Sequence, residues 1–310
     1  MKKLIWAIDA FIPVDKTHQN AISVMTQLLK NTNGASILPV YTLSPDQLNI
    51  DTEFTKAWIQ YYKPAAEKAL QQVLKNFENI SLIKKGHIIL QKGLSTKSAT
   101  LALANYAATQ KADAIVANTH AREGISRFVL GSFTETLLFH SKVPVITISP
   151  STHLDKEIKT ILFPTDLSSN SHKTFCQLLK LAKNLNATVH LLHVIPHPIE
   201  PAIQSGTYLF SGGWIPVPNY LASQKEKRLK LTQRFMKSAQ KENVKLVIKI
   251  EENSRSVTQS ILDTLKQVNP QLLAMAAQSG KLSATLIGSI TRNMIRHVDI
   301  PVWVYKQGKK

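Results

Sequence analysis

Short apolar runs alternate with amphipathic stretches along the whole chain. "KLIWAID" (3–9), "ASILPVYTL" (35–43), "GHIILQKG" (86–93), "ADAIVAN" (112–118) and "PVITIS" (144–149) have the length and apolar content of buried strands. Between them, "QNAISVMTQLLKNT", "AWIQYYKPAAEKALQQVLKNF", "SATLALANYAATQ" and "SFTETLLFHS" repeat apolar residues at helical spacing. The same order recurs in the second half. Strand patterns fall at "KTILFPTD", "ATVHLLHVI", "VKLVIKIEE", "QLLAMAA" and "PVWVYK"; helical ones fall at "HKTFCQLLKLAKNL", "KEKRLKLTQRFMKSAQKE", "VTQSILDTLKQV" and "SITRNMIRH". Strands that alternate with helices need crossover connections, which predicts an α/β fold with a mainly parallel sheet. Runs such as "AIVA" and "LLAMAA" are apolar without alternation, as in strands covered by helices on both faces.

The two halves are copies. "LIWAID" ending at Asp9 matches "ILFPTD" ending at Asp166, an offset of 157 residues. "LGSFTETLLFHSKVPVITIS" matches "IGSITRNMIRHVDIPVWVYK" with Gly131 to Gly288 and Pro144 to Pro301 at that same 157. Three anchors at one spacing define an internal repeat. The expected domains are 1–150 and 157–310, joined through the polar "SPSTHLDKE" (149–157). One segment breaks the correspondence: 196–223, with five prolines and three glycines, reads as a long loop. Tyr208, Phe210 and Trp214 give it contact area, so a lid or a protein-partner contact is expected there.

The 310 residues are enough for two ordinary domains, each with a core. No apolar run is long enough to span a membrane, and Asp9 interrupts the N-terminal apolar stretch that would otherwise imitate a signal peptide. With Cys176 the only cysteine, no intrachain disulfide is possible, and a cytoplasmic location is expected. The formal charge of +18 suggests polyanions, but the lysines are dispersed and aromatic residues make up only 7%. No basic and aromatic platform alternates along a strand, so a solvated basic surface is expected rather than a nucleic-acid site.

Ligands of open parallel sheets bind beyond the carboxyl ends of the strands, where the strand order reverses. Asp9 and Asp166 end the first strands, while Asn118 and Met275 lie at the ends of the fourth strands. A loop that leaves strand four and enters a helix can aim backbone N–H groups at an anion. "NTHAREGISRFVLGS" (118–132) and "MAAQSGKLSATLIGS" (275–289) are those loops. The competing reading is structural: Ser132 with Glu135 forms an S-x-x-E capping box, Ser289 can cap its helix alone, and Asp9 and Asp166 can cap turns.

A strand ending in Asp, "LLHV" at 191–194, Gly-Ser opening the last helix and a terminal "PVITIS" or "PVWVYK" strand resemble the universal stress protein family over nearly the whole chain. The resemblance implies two tandem Rossmann-like domains, each a five-stranded mainly parallel sheet of order 3-2-1-4-5 with helices on both faces. It also implies an intramolecular pseudo-dimer through the terminal strands, with a further homodimer as an option. Nucleotide-binding members carry Gly, two residues, Gly, nine residues, Gly, then Ser or Thr. Here both copies keep the spacing and lose the leading glycines: Asn118, Ala121 and Gly131-Ser132 in one, Met275, Gln278 and Gly288-Ser289 in the other. By resemblance, an adenine nucleotide such as ATP would contact Asp9, Tyr41, Asn118, His120, Ala121, Arg122, Gly131, Ser132 and Phe133 in the first domain. The second-domain equivalents are Asp166, Val194, Gly288 and Ser289, where the bulk of Met275 and Gln278 argues against binding. Tyr41 is larger than the family's usual Val. The expected function is a stress-response sensor that binds adenine nucleotide weakly through its first domain. The alternatives are a scaffold without nucleotide and a slow ATPase.

His190 and His193 fall on opposite faces of one strand, and neither Cys nor carboxylate completes a set with them and His197, so no metal site is expected. Cys176 sits in an apolar helical pattern and is expected to be buried and inert. No G-x-S-x-G, Walker A or H-E-x-x-H motif occurs.

Overall fold

The computed structural model describes residues 1–45, 56–91, 93, 95–119, 131–196, 207–210, 213–253, 256–277 and 287–306. By packing, the chain forms two units, Met1–Glu157 with Ser283–Lys310, and Ile158–Leu282.

The first unit contains β1 (Lys3–Ala7), α1 (Lys16–Leu29), β2 (Ser36–Leu43), α2 (Lys56–Lys75), β3 (His87–Leu90), α3 (Thr96–Thr109), β4 (Ala114–Asn118), α4 (Ser132–His140) and β5 (Val145–Ile148). The sheet order β3-β2-β1-β4-β5 is the expected 3-2-1-4-5, and these strands pair in parallel. Leu4, Ile5 and Trp6 of β1 and Ala114, Ile115 and Val116 of β4 are fully buried. Their unbroken apolar runs therefore mark the sheet centre, with helices on both faces.

The second unit contains β6 (Thr160–Pro164), α5 (Ser169–Leu185), β7 (Thr188–Pro196), β8 (Thr207–Phe210), β9 (Gly213–Pro216), α6 (Val217–Glu242), β10 (Leu246–Asn253), α7 (Val257–Val268) and β11 (Leu272–Ala276). Its strands run β10-β7-β6-β11, all parallel. Of the expected loop 196–223, residues 197–206 and 211–212 lie outside the described residues, and the rest is not all loop. β8 and β9 form an antiparallel hairpin, and α6 starts at Val217, several residues before the helical apolar pattern. A Pro near a helix start costs little because the first-turn N–H groups lack intrahelical partners anyway, so Pro218 does not stop α6. α5 and α7 end on Asn186 and Asn269 at φ 49° and 47°. Asn is among the few non-glycine residues that tolerate this left-handed cap.

The last helix and strand, α8 (Ser289–His297) and β12 (Val302–Tyr305), come from the second sequence repeat but pack in the first unit. β12 runs antiparallel to β5, with Val302 opposite Thr147, Trp303 opposite Ile146 and Val304 opposite Val145. The two terminal strands expected to meet do so.

Two local expectations are corrected. Ser132 and Ser289 are not caps: Gly131 and Gly288 are the N-cap residues of α4 and α8, with no side-chain cap bond. Glu135 does not reach back to close a capping box; its carboxylate pairs with Arg292. Cys176 is half-buried rather than fully buried, with its Sγ 3.8 Å from His172 Nε2 and from Ser238 Oγ.

Candidate functional site

A cavity of about 310 Å³ opens in the first unit at the carboxyl ends of β1, β2 and β4. This is the place where the strand order turns back from β1-β2-β3 to β4-β5, as the sheet rule requires. Asp9 enters the wall from the turn after β1, where its Oδ1 accepts the Phe11 amide at 3.0 Å. That turn fixes the carboxylate beside β2. Tyr41, 3% exposed, forms the β2 wall and meets the Phe11 ring edge-on at 5.7 Å between centroids. Burial, reinforced by the Asp9 carboxylate, pushes the Tyr41 phenol far above its ordinary range, so the hydroxyl stays protonated.

The opposite wall comes from β4 and α4. Asn118 ends β4, and its backbone carbonyl accepts the Thr134 hydroxyl at 3.1 Å, tying the strand end to the first turn of α4. Thr119 is held down by its amide on the Ile148 carbonyl at 2.7 Å. The side-chain oxygen of Asn118 is buried and has no partner among the described residues. Gly131 and Phe133 line the same cavity at the start of α4. Gly131 sits at φ −60° and ψ 150°, an extended cap conformation open to any residue.

A pair that the sequence reading did not single out also lines the wall. Asp15 is the N-cap of α1, accepting the His18 amide at 3.1 Å and lying 2.7 Å from His18 Nδ1. The Asp15 amide lies 3.3 Å from the same Nδ1, so the ring nitrogen faces both the carboxylate and the N-cap amide. Burial opposes ionisation of Asp15, but the hydrogen bonds from His18, with its charge, and from Thr17 outweigh it and hold the carboxyl below its ordinary value. The local signal was available: Asp three residues before His at the head of an apolar-periodic stretch is an N-cap pattern.

The structure thus gathers Asp9, Tyr41, Asn118, Gly131 and Phe133 around one cavity. Ser132 is exposed on α4 and does not line it. His120, Ala121 and Arg122 lie outside the described residues. In the second unit, Asp166 follows β6 and its Oδ1 accepts the Ser168 amide at 2.9 Å and the Ser171 hydroxyl. Val194 and Met275 are buried in β7 and β11. Gly288 and Ser289 start α8, which belongs to the first packing unit. Gln278 is outside the described residues.

His193 is buried with Nδ1 2.8 Å from the Thr165 carbonyl, and His190 is half-buried. Among the described residues no group of three or more His, Cys, Asp or Glu side chains is arranged to hold a metal ion. Among them also no helix is long and apolar enough to cross a membrane.

Fold and cavity together define a Rossmann-like α/β protein with a cavity at the switch point of its first sheet. The chain belongs to the universal stress protein family: the family's sequence profile matches residues 1–149 and again 157–306. The fold resembles a universal stress protein from Archaeoglobus fulgidus DSM 4304 at TM-score 0.67 and 16% identity, covering 99% of this chain and 98% of that one. A putative universal stress protein from Pseudomonas aeruginosa UCBPP-PA14 is similar at TM-score 0.55 and 12% identity, over 98% and 93%. No curated protein sequence matches the chain.

Proposed function

We propose that this protein is a stress-response sensor that binds an adenine nucleotide through its first domain, and that 1–150 and 157–310 are the two duplicated domains. The observation that carries the reading is the Asn118 oxygen, buried without a partner among the described residues, in a cavity also walled by Asp9 and Tyr41. Amino and hydroxyl groups of an adenosine supply a donor to Asn118 Oδ1 and further donors to the Asp9 carboxylate, which already accepts the Phe11 amide. A cavity of about 310 Å³ is at the small end of ligand pockets, which suits the nucleoside part, with phosphates outside it towards the Gly131 end of α4. Tyr41 fills room that the family's usual Val leaves free, which accounts for weak binding. The second domain is the degenerate copy: the Asp166 carboxylate is already held by Ser168 and Ser171, and Met275 is packed into the core.

Titration calorimetry of the full chain with ATP tests this. Saturable heat that disappears in Gly131→Trp, with the variant's unfolding transition unchanged, is the expected result. No heat above dilution at about millimolar nucleotide, well above a weak Kd on the affinity scale, sinks the reading. A nucleotide-free scaffold then takes its place.

A further inference from the structure

We propose that the hydroxyl of Thr42 reads the base of the bound nucleoside, donating to a ring nitrogen beside the amino group that Asp9 accepts. The proposal rests on adenine-nucleotide binding by the first domain and assigns the selection of the base to a further residue of that site.

The ladders of the two copies fix which residues correspond. Val40 pairs with Ala7, and its carbonyl accepts the Ile8 amide at 3.0 Å. Leu192 pairs with Pro164, and its carbonyl accepts the Thr165 amide at 2.9 Å. Ala7 and Pro164 are 157 residues apart, as are Ile8 and Thr165, so Val40 and Leu192 hold the same place in β2 and β7. Two residues further on, Thr42 therefore corresponds to Val194, which the sequence pattern sets against Tyr41. Both side chains are buried, at 4% and 7% exposure. Threonine and valine share one branched shape and differ by a hydroxyl in place of a methyl.

Folding does not account for that hydroxyl. Thr42 Oγ1 is buried and has no partner among the described residues. A hydroxyl buried without a hydrogen bond is unfavourable, and the second copy fills the same place with valine. Thr42 also lines the cavity, together with Asp9 and Asn118. The first copy thus keeps an unpaired polar group at the wall of its ligand site.

Topology decides which part of the ligand it meets. β2 and β4 flank β1, so Thr42 and Asn118 belong to strands about 10 Å apart, two strand spacings. The Thr134 hydroxyl ties the Asn118 end to α4, whose Gly131 end faces the phosphates in the proposed binding mode. The sugar then falls beside Asn118 and the base towards β2, where Thr42 stands. A carboxylate accepts, whereas a hydroxyl can donate. Asp9 and Thr42 together match the edge of adenine, whose amino group is flanked by ring nitrogens that accept.

Calorimetric titration of the full chain with adenosine, 1-deazaadenosine, 7-deazaadenosine and ATP tests this. Thr42→Val, which gives the first copy the valine of the second, should bind adenosine about tenfold more weakly while keeping or raising the urea midpoint. Thr42→Ser keeps the hydroxyl and should stay within about threefold of wild type. The Thr42→Val penalty should vanish against the deaza analogue that lacks the contacted nitrogen and persist against the other. Equal affinity of wild type and Thr42→Val overturns the Thr42 contact and leaves the adenine reading standing. An equal loss in Thr42→Ser makes shape the cause rather than the hydroxyl, and a penalty that persists against both analogues moves the hydroxyl off the base; either result overturns the proposal. A wild type that binds neither adenosine nor ATP removes the adenine reading, and the base contact falls with it.

Discussion

Glu135 of α4 and Arg292 of α8 stand at the same position of the two repeats, 157 residues apart, and form an ion pair with each other. Symmetric placement of one residue type would set like charges against one another, so the contact exists only because the copies have diverged. Both side chains are 29% exposed, which limits the pair to a modest contribution. Arg292→Glu should lower unfolding stability by about 1 kcal/mol, and Glu135→Arg likewise. The double exchange should recover most of the loss in urea denaturation. If the double exchange is as unstable as the sum of the singles, the pair contributes nothing.

The pairing of β5 with β12 has the same internal symmetry. Residues 145, 146 and 147 pair with 304, 303 and 302, so the 157-residue offset carries each pair onto its mirror, and the ladder is centred on Ile146 and Trp303. Trp303 is 1% exposed, and its indole N–H has no partner among the described residues. Trp303→Ala should cost about 3–5 kcal/mol through the cavity it leaves. Trp303→Phe removes the orphaned donor along with some volume and should cost far less, within about 2 kcal/mol. Equal losses for the two variants in chemical denaturation would contradict this account of the centre.

Burial lowers the pKa of His87, His140, His172, His190 and His193 below the ordinary 6.5. The folded chain therefore favours neutral imidazoles, and the unfolded chain takes up protons first as pH falls. Stability should be full above about pH 6.5 and decline as pH drops from there through the depressed folded pKa values. His193→Gln keeps an N–H for the Thr165 carbonyl and removes one titrating group, so its stability should fall less steeply between about pH 6.5 and 5. Parallel wild-type and variant profiles in urea midpoints would show that His193 does not contribute.

Asn118 separates binding from folding. Its buried side-chain oxygen has no partner among the described residues, which is unfavourable in the folded protein unless a ligand supplies a donor. Asn118→Ala should leave ligand-free stability unchanged or raise it by up to about 1 kcal/mol, and weaken adenine-nucleotide binding about tenfold. A variant that loses stability and keeps its affinity would make Asn118 a structural residue.

The fold was legible because its signals are local and occur twice. Apolar runs such as "LIWAID" and "ILFPTD" locate the strands, and the strand ends place Asp9, Tyr41 and Asn118 at one edge before any packing is known. What remained hidden depends on contacts far apart in sequence. Ser132 and Glu135 spell a capping box, yet Glu135 is drawn to Arg292, and the cap falls to Gly131. Asp15 and His18 join the cavity only because α1 starts beside the end of β1, a placement that the N-cap pattern alone does not give. The stripe of Leu229 and Met236 on α6 looks in sequence like any amphipathic helix, yet both side chains are exposed among the described residues.

The central claim, that the switch-point cavity of the first domain holds the adenosine, is tested most directly by photolabelling the full chain with 8-azido-ATP and mapping the labelled peptides. The account predicts label on the segments around Tyr41 and Asn118, displaced by excess ATP and lost in Gly131→Trp. Label confined to the second repeat, or label that ATP does not displace, would contradict it.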